Sequence, residues 1–301
     1  MEKLNIENSD LFNFIRVYNQ IEIDRPEKRM IYHYTSADAL LSILNSETLW
    51  FSDSSYLNDA SEGILPLKIL EDILDLVDIN ATMLKRLKVC IKERKEKILC
   101  DTKRAYILSF SIDPDSLCLW NYYTKGNQSQ GYNIGFQADL LTKAFHGTKP
   151  GTSSAYIPIQ GRVEYEQQKQ KDLVLRVIKS LIDVSCDYEP IFTSEFILDK
   201  ITSLGYFFKS ECFGIEKEYR MVLVWNNHFH SEDYLLREEN FRSMNGYFIP
   251  YRQVPFENIN CIKTITVSPT IDFELARTSL TRALRKYSGV EVKQSNIPVR
   301  Y

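Results

Sequence analysis

The spacing of apolar and polar positions changes several times along the chain, and each change predicts an element. Residues 1–28 read as a short amphipathic helix followed by a polar connector through Pro26. Met30–Thr35 is a short apolar and aromatic run that predicts a strand. Ser36 then suits a helix N-cap, because its hydroxyl can accept from an unpaired backbone N–H. Asp38 adds negative charge in the first turn. Leu40, Leu41 and Leu44 give that helix an apolar face. Thr48–Ser52 predicts a second strand, and Asn58-Asp59 a turn.

Residues 64–98 predict two helices. The first carries Glu71, Asp72, Asp75 and Asp78 beside a broad apolar face. The second sets Leu84, Leu87, Ile91 and Ile98 at helical spacing among Lys85, Arg86, Lys88, Lys92, Arg94, Lys95 and Lys97. Further strands are expected at Ala105–Ser111, Gly131–Gln137, Ala155–Ile159 and Arg162–Tyr165. Leu173–Ile182 and Phe196–Lys209 read as helices. Strands resume at Glu218–Trp225, Gly246–Tyr251 and Ile262–Val267, followed by a helix at Phe273–Tyr287 and an edge strand at Val290–Lys293. Strands and helices without regular βαβ alternation predict an α+β fold with a mixed sheet. The organisation expected is an N-terminal helical extension over residues 1–29, then one α+β domain over 30–301 with a helical insertion at about 62–99.

Composition narrows the function classes. The chain has 301 residues, 44% of them hydrophobic, enough for a sizeable core. Thirty-seven basic residues against forty acidic ones give a net charge of −3, which argues against a protein dedicated to coating nucleic acid. No apolar stretch suits a signal peptide or a transmembrane helix, so no membrane partner is expected. The six cysteines are scattered and lack a Cys-x-x-Cys pair, which fits a reducing cytoplasm. Metal chemistry has little to draw on: His228-Phe229-His230 is the one close histidine pair, and it has no third ligand nearby. Walker, dinucleotide-glycine and nucleophile-elbow motifs are absent.

Three segments could carry chemistry. In the first, Ile31, His33 and Thr35 share one strand face and Tyr32 and Tyr34 the other. His33 and Thr35 precede a helix N-terminus, a position from which ligand hydroxyls or phosphates can be bound. The alternative is a histidine that anchors the turn. In the second, a strand that begins by Glu216 would align Glu216, Glu218 and Arg220, successive ones about 7 Å apart. Charges at the mouth of a buried strand need partners, so the cluster is either a salt-bridge network or a ligand site. The third joins Ser109 to the aromatic stretch Trp120–Tyr123, which could stack on a heteroaromatic ring or belong to the core.

In order, these pieces resemble a bacterial family, domain-of-unknown-function family twenty-nine seventy-one. The pattern is carried by Tyr32-His33-Tyr34-Thr35, Leu57-Asn58-Asp59 with Glu62, Ser109-Phe110-Ser111, and Leu119-Trp120 with Tyr123. It continues through Gly131, Ile134-Gly135-Phe136, Lys209 and Glu216-x-Glu218-x-Arg220, and so spans residue 30 to the last strand. Ala60 and Phe213 depart from the family's usual proline and tryptophan. The family is in turn similar to the ADP-ribosyltransferase fold, which implies a sheet core of that type with flanking helices and a helical hairpin insertion.

That resemblance implies an enzyme that consumes NAD as a substrate without a metal. Glu218 would be catalytic with Glu216 beside it. His33 would contact a ribose of NAD, Tyr123 or Trp120 would flank the nicotinamide, Thr35 and Ser109 would belong to the same cofactor site, and Arg220 would hold a phosphate or neutralise the carboxylates. The acceptor would be an unknown protein or nucleic acid. The company of such families adds a bacterial toxin or anti-phage effector role, with an antitoxin or defence-system partner. A different class of function rests on Lys85–Arg104, where nine basic residues face three acidic ones. That stretch could make the chain a nucleic-acid or nucleotide binding module with no NAD chemistry. An acidic helix beside a basic one could equally form a hairpin that neutralises itself.

Overall fold

The computed structural model describes residues 28–59, 61, 63–97, 103–124, 130–145, 158–184, 190–226, 239–244, 246–256 and 259–299. The expected helix over 1–28, Glu62 and the His228/His230 pair lie outside these residues. The chain divides into two compact units. One takes residues 57–101 and 163–214, the other residues 26–56, 102–162 and 215–301.

The first unit is helical. Helices α2 (Leu65–Leu74) and α3 (Ala81–Lys97) are the expected pair, and they pack with α6 (Gln167–Val184) and α7 (Pro190–Gly205). Leu70, Leu74, Leu87, Ile91, Val177, Leu181, Ile197 and Ile201 are among its core residues, all buried. The sequence expects α7 to run to Lys209, but it stops at Gly205, where any Cβ would collide with the ring of Pro66. Lys209 instead lies beyond the helix and is buried. Its ammonium donates to Asn58 Oδ1 at 2.9 Å and sits 4.6 Å from the Phe213 ring. Asp59 accepts from the backbone N–H groups of Ser61 (2.8 Å) and Ser210 (3.1 Å). The Asn58-Asp59 turn is thus a latch between distant parts of the helical unit.

The second unit carries the sheet. Its strands are β1 (Met30–Thr35), β2 (Thr48–Asp53), β3 (Lys103–Ser111), β4 (Tyr132–Gln137), β5 (Ile159–Arg162), β6 (Glu218–Asn226), β7 (Asn240–Met244), β8 (Tyr247–Pro255), β9 (Ile262–Val267) and β10 (Glu291–Gln294). The spatial order is β10-β9-β4-β1-β3-β2-β8-β7, with β6 on β3 and β5 on β6. All pairs are antiparallel except β9–β10. The mostly antiparallel sheet with its helices is an α+β arrangement.

Helices α1 (Ala37–Ser46), α5 (Ala138–Phe145) and α8 (Phe273–Ala283) contribute to the core on one sheet face. Ser36 caps α1 as expected, its Oγ accepting from Ala39 N–H at 3.2 Å. Tyr106, Leu108 and Phe110 of β3 join Tyr219, Met221 and Leu223 of β6 in that core. By pleat alternation Ser109, Ser111, Glu218 and Arg220 take the opposite face. The short helix α4 (Leu117–Tyr123) lies there, with Leu119 and Trp120 against Tyr34.

Details of the strands differ from the expectation. Strand β5 spans Ile159–Arg162 and so runs through Gln160-Gly161, which the sequence reads as a break between two runs. Gly161 pairs with Arg220 inside the sheet, and Glu164 makes only an isolated bridge to Phe208. Residues 155–157 of the first run lie outside the described residues. Strand β7 has no forerunner in the sequence reading, because all its residues are at least partly exposed and leave no apolar alternation. Strand β6 begins at Glu218, as the expected strand Glu218–Trp225 does, so the conditional alignment of Glu216 with Glu218 and Arg220 on one strand does not arise. Glu216 ends a 3-10 segment, Glu211–Glu216, and Lys217 turns the chain with φ of 46°.

One edge of β3 is shared by two strands. β1 meets it at Tyr32–Ser111, whereas β2 meets it at Ser52–Ile107 and Asp53–Tyr106. Ser109 lies between these two contacts, where the sheet is split.

Candidate functional site

The turn at Lys217 builds the site. Lys217 holds a left-handed backbone that costs a non-glycine residue energy and must be fixed by its surroundings. Its carbonyl accepts from Ile112 N–H at 3.0 Å, and its ammonium pairs with Asp113 at 2.9 Å. Ser111 Oγ donates to the Glu216 carbonyl at 2.7 Å and accepts from Asp113 N–H at 3.0 Å. These bonds turn the Glu216 side chain toward α4, where Tyr123 Oη donates to its Oε1 at 3.1 Å.

Two residues on, Glu218 Oε2 accepts from Arg220 Nη2 at 2.8 Å. Arg220 is wholly buried, and Glu216 and Glu218 are nearly so. Burial pushes the Tyr123 phenol far up, and the charges of Glu216 and Glu218 push it further. The phenol therefore stays protonated and serves as a donor. Two nearly buried carboxylates, one of them paired with a wholly buried guanidinium, form a charged cluster of a kind seldom kept without a use or a network to satisfy it.

Helix α4 is fixed from behind. Tyr34 Oη accepts from Ser116 N–H at 2.9 Å and donates to the Asp113 carbonyl at 2.8 Å. Trp120 is enclosed, its ring edge-on to Tyr34 at 4.8 Å and its N–H on Asp115 at 2.8 Å. Trp120 thus offers no face to a ligand. Tyr123, 45% exposed, is the aromatic group of the expected set that reaches the surface.

His33 stands on the other side of the strand, with Ile31 and edge-on to Phe110 at 5.8 Å. Its Nδ1 is 3.1 Å from the Ser109 carbonyl, in the split between β1 and β2. Burial lowers its pKa; the Ser109 carbonyl opposes this, and the charge of Arg242 adds to it. The imidazole is therefore neutral near pH 7, with Nδ1–H donated to Ser109 and Nε2 left as the acceptor. Thr35 is buried at the end of β1, opposite Tyr132.

The structure thus gathers Tyr123, Glu216, Glu218 and Arg220 in one cluster. Ser109 adjoins it as the strand partner of Arg220 and is only half-buried. His33 touches this group through the Ser109 backbone, while Thr35 and the Trp120 ring stay out of it. Sequence reasoning overlooked Arg242 and Ser52, which meet at 2.8 Å beside the split. The signal for them was weak, because Arg242 lies in the strand that carries no alternation. Among the described residues, no three His, Cys, Asp or Glu side chains are grouped to hold a metal ion.

The basic helix is occupied at several positions. Lys88 pairs with Asp75 at 2.8 Å and Lys95 with Glu71 at 2.5 Å, both across the α2–α3 hairpin. Arg94 pairs with Glu195 and Asp199 on α7. Among the described residues, no helix is long and apolar enough to cross a membrane.

No curated protein and no solved structure matches the chain. Residues 119–221 match the model of a family described as a protein of unknown function, DUF2971. The short helix from Leu119 onward and the Glu216–Arg220 cluster fall inside that stretch, whereas His33, Thr35 and Ser109 precede it.

Proposed function

We propose that the sheet unit binds NAD and breaks its nicotinamide–ribose bond, as an ADP-ribosyltransferase-like enzyme. The observation that carries this reading is the paired setting of Glu216 and Glu218. One carboxylate is held by a tyrosine at the surface, the other by a buried arginine. Cleavage of an N-glycosidic bond develops positive charge on the sugar, and a fixed carboxylate stabilises that charge more in the transition state than in the ground state.

In this mechanism the C1′–N1 bond breaks and its electron pair leaves with nicotinamide, which departs neutral and needs no acid. Glu218, paired with Arg220, faces the developing cation. Water or an acceptor nucleophile bonds to C1′ and gives its proton to Glu216. Tyr123 stays protonated and positions Glu216 through its hydroxyl. Arg220 acts through Glu218 and does not reach a phosphate, since it is closed to solvent.

The test is free nicotinamide released from NAD by purified protein, alone and with lysate, against Glu218→Gln. Release that falls at least about a hundredfold in the variant, with an unchanged circular-dichroism spectrum, supports the reading. Equal release by both proteins, or none with any lysate, rejects it. The ion pairs on α3 leave the nucleic-acid reading with less basic surface than its sequence suggests.

A further inference from the structure

Arg242 is a half-buried cation that the chemistry above leaves unused. Its Nη2 donates to Ser52 Oγ at 2.8 Å, and its Nε is buried with no hydrogen-bond partner. Arg220, Arg94 and Arg104 meet carboxylates, and Arg252, whose Nε is likewise without a hydrogen-bond partner, lies over the Tyr106 ring at 4.9 Å. Among the described residues Arg242 meets only the neutral Ser52 hydroxyl. A half-buried guanidinium whose hydrogen-bond partner among the described residues is a neutral hydroxyl keeps its affinity for an anion.

Its position gives that affinity a use. Ser52 pairs with Tyr251, and Tyr251 with Asn240, so Trp50, Ser52, Tyr251 and Arg242 share one sheet face. Ser52 is also where β2 parts from β3, at the split that holds His33. Beside Arg242, the Trp50 and Tyr251 rings stack at 4.3 Å and 26°, and Trp50 is 37% exposed. A planar guanidinium matches phosphate oxygens in pairs, and an exposed indole offers a face to a heteroaromatic ring.

We propose that Arg242, steadied by Ser52, is the docking point for a phosphate group, with Trp50 beside it to receive the attached nucleoside. Assigning that phosphate to the diphosphate of NAD rests on the function proposed above; the phosphate site itself does not.

The experiment is calorimetric titration of the protein with inorganic pyrophosphate, ADP-ribose and adenosine, none of which carries the nicotinamide–ribose bond. Pyrophosphate and ADP-ribose bind, and adenosine binds at least about tenfold more weakly than ADP-ribose. Arg242→Gln weakens both phosphate probes about tenfold or more and leaves adenosine unchanged, while Arg242→Lys retains part of the affinity. Ser52→Ala gives a smaller loss in the same direction. Near-UV circular dichroism checks that each variant is folded. Unchanged affinity in folded Arg242→Gln overturns the proposal, as does adenosine as tight as ADP-ribose or no binding by any probe. Arg242-dependent pyrophosphate binding without nicotinamide release by the parent protein removes the NAD reading alone. Glu218-dependent release with no role for Arg242 removes the phosphate site alone.

Discussion

Arg220 and Glu218 lie on the same face of β6, and their side chains meet 2.8 Å apart with almost no access to water. Removing one partner of such a pair strands the other charge. Arg220→Leu is expected to destabilise the fold by about 3–5 kcal/mol. The double variant Glu218→Gln/Arg220→Leu should lose less than the arginine change alone, because it leaves no buried carboxylate at position 218. Urea unfolding of the three proteins measures the difference, and a double variant as unstable as the single one would refute the charge argument.

The setting of His33 makes stability depend on pH. Its native pKa lies below the ordinary 6.5, first because of burial. Below pH 6.5 the unfolded chain takes up a proton that the native imidazole resists. Stability therefore falls as pH drops through 6.5 and levels off once the native pKa is passed. Between about pH 7.5 and about pH 5.5, the parent should lose more stability than His33→Gln. Equal losses would show that the native imidazole titrates normally.

Gly131 admits no side chain. A Cβ there would sit 2.5 Å from both Thr124 Cγ2 and the Thr35 carbonyl oxygen. One contact is backbone, so relief requires moving β1 or the end of α4. Gly131→Ala should cost about 1–3 kcal/mol. Because α4 carries Tyr123, nicotinamide release should fall more than the loss of folded protein explains. A thermal melt beside the release assay separates the two effects.

The α2–α3 ion pairs are half-exposed and individually weak. Lys88→Glu and Lys95→Glu together should lower stability by under about 1 kcal/mol per pair, less at high salt. Filter binding of RNA or duplex DNA at low salt should be weak in the parent and unchanged in the variant. Tight retention abolished by the reversals would make this face a nucleic-acid surface.

Much of the fold could be read from period and caps. Met30–Thr35, the Ser36 cap, the helical hairpin and Ile262–Val267 all follow from local patterns that tertiary packing leaves intact. The misses have physical causes. Asn240–Met244 is a strand because Tyr247–Pro255 pairs with it, not because its own residues alternate. Gly161 reads as punctuation until Arg220 is seen beside it. At the site, residue types near Tyr123 and Glu218 were visible, but strand phase decided which met. Beginning β6 at Glu218 moves Glu216 out of the pleat and onto the Tyr123 hydroxyl, and register sends His33 to the far side of its strand. Ser52 and Arg242 are 190 residues apart, and no local pattern links them.

The pairing of β3 with β6 also sets a timetable. Lys103–Ser111 pairs with Glu218–Asn226 along its whole length, so during synthesis β3 waits for its partner while all of 112–217 emerges. The helical unit has its last residue at 214 and is complete before that wait ends. A growing chain therefore displays an apolar strand edge for about a third of its synthesis, a state that invites mispairing. The same delay brings Glu218 and Arg220 in with the strand that closes this edge. Chains cut short before residue 218 lack the carboxylate on which the proposed chemistry depends, so unfinished molecules are inert by construction.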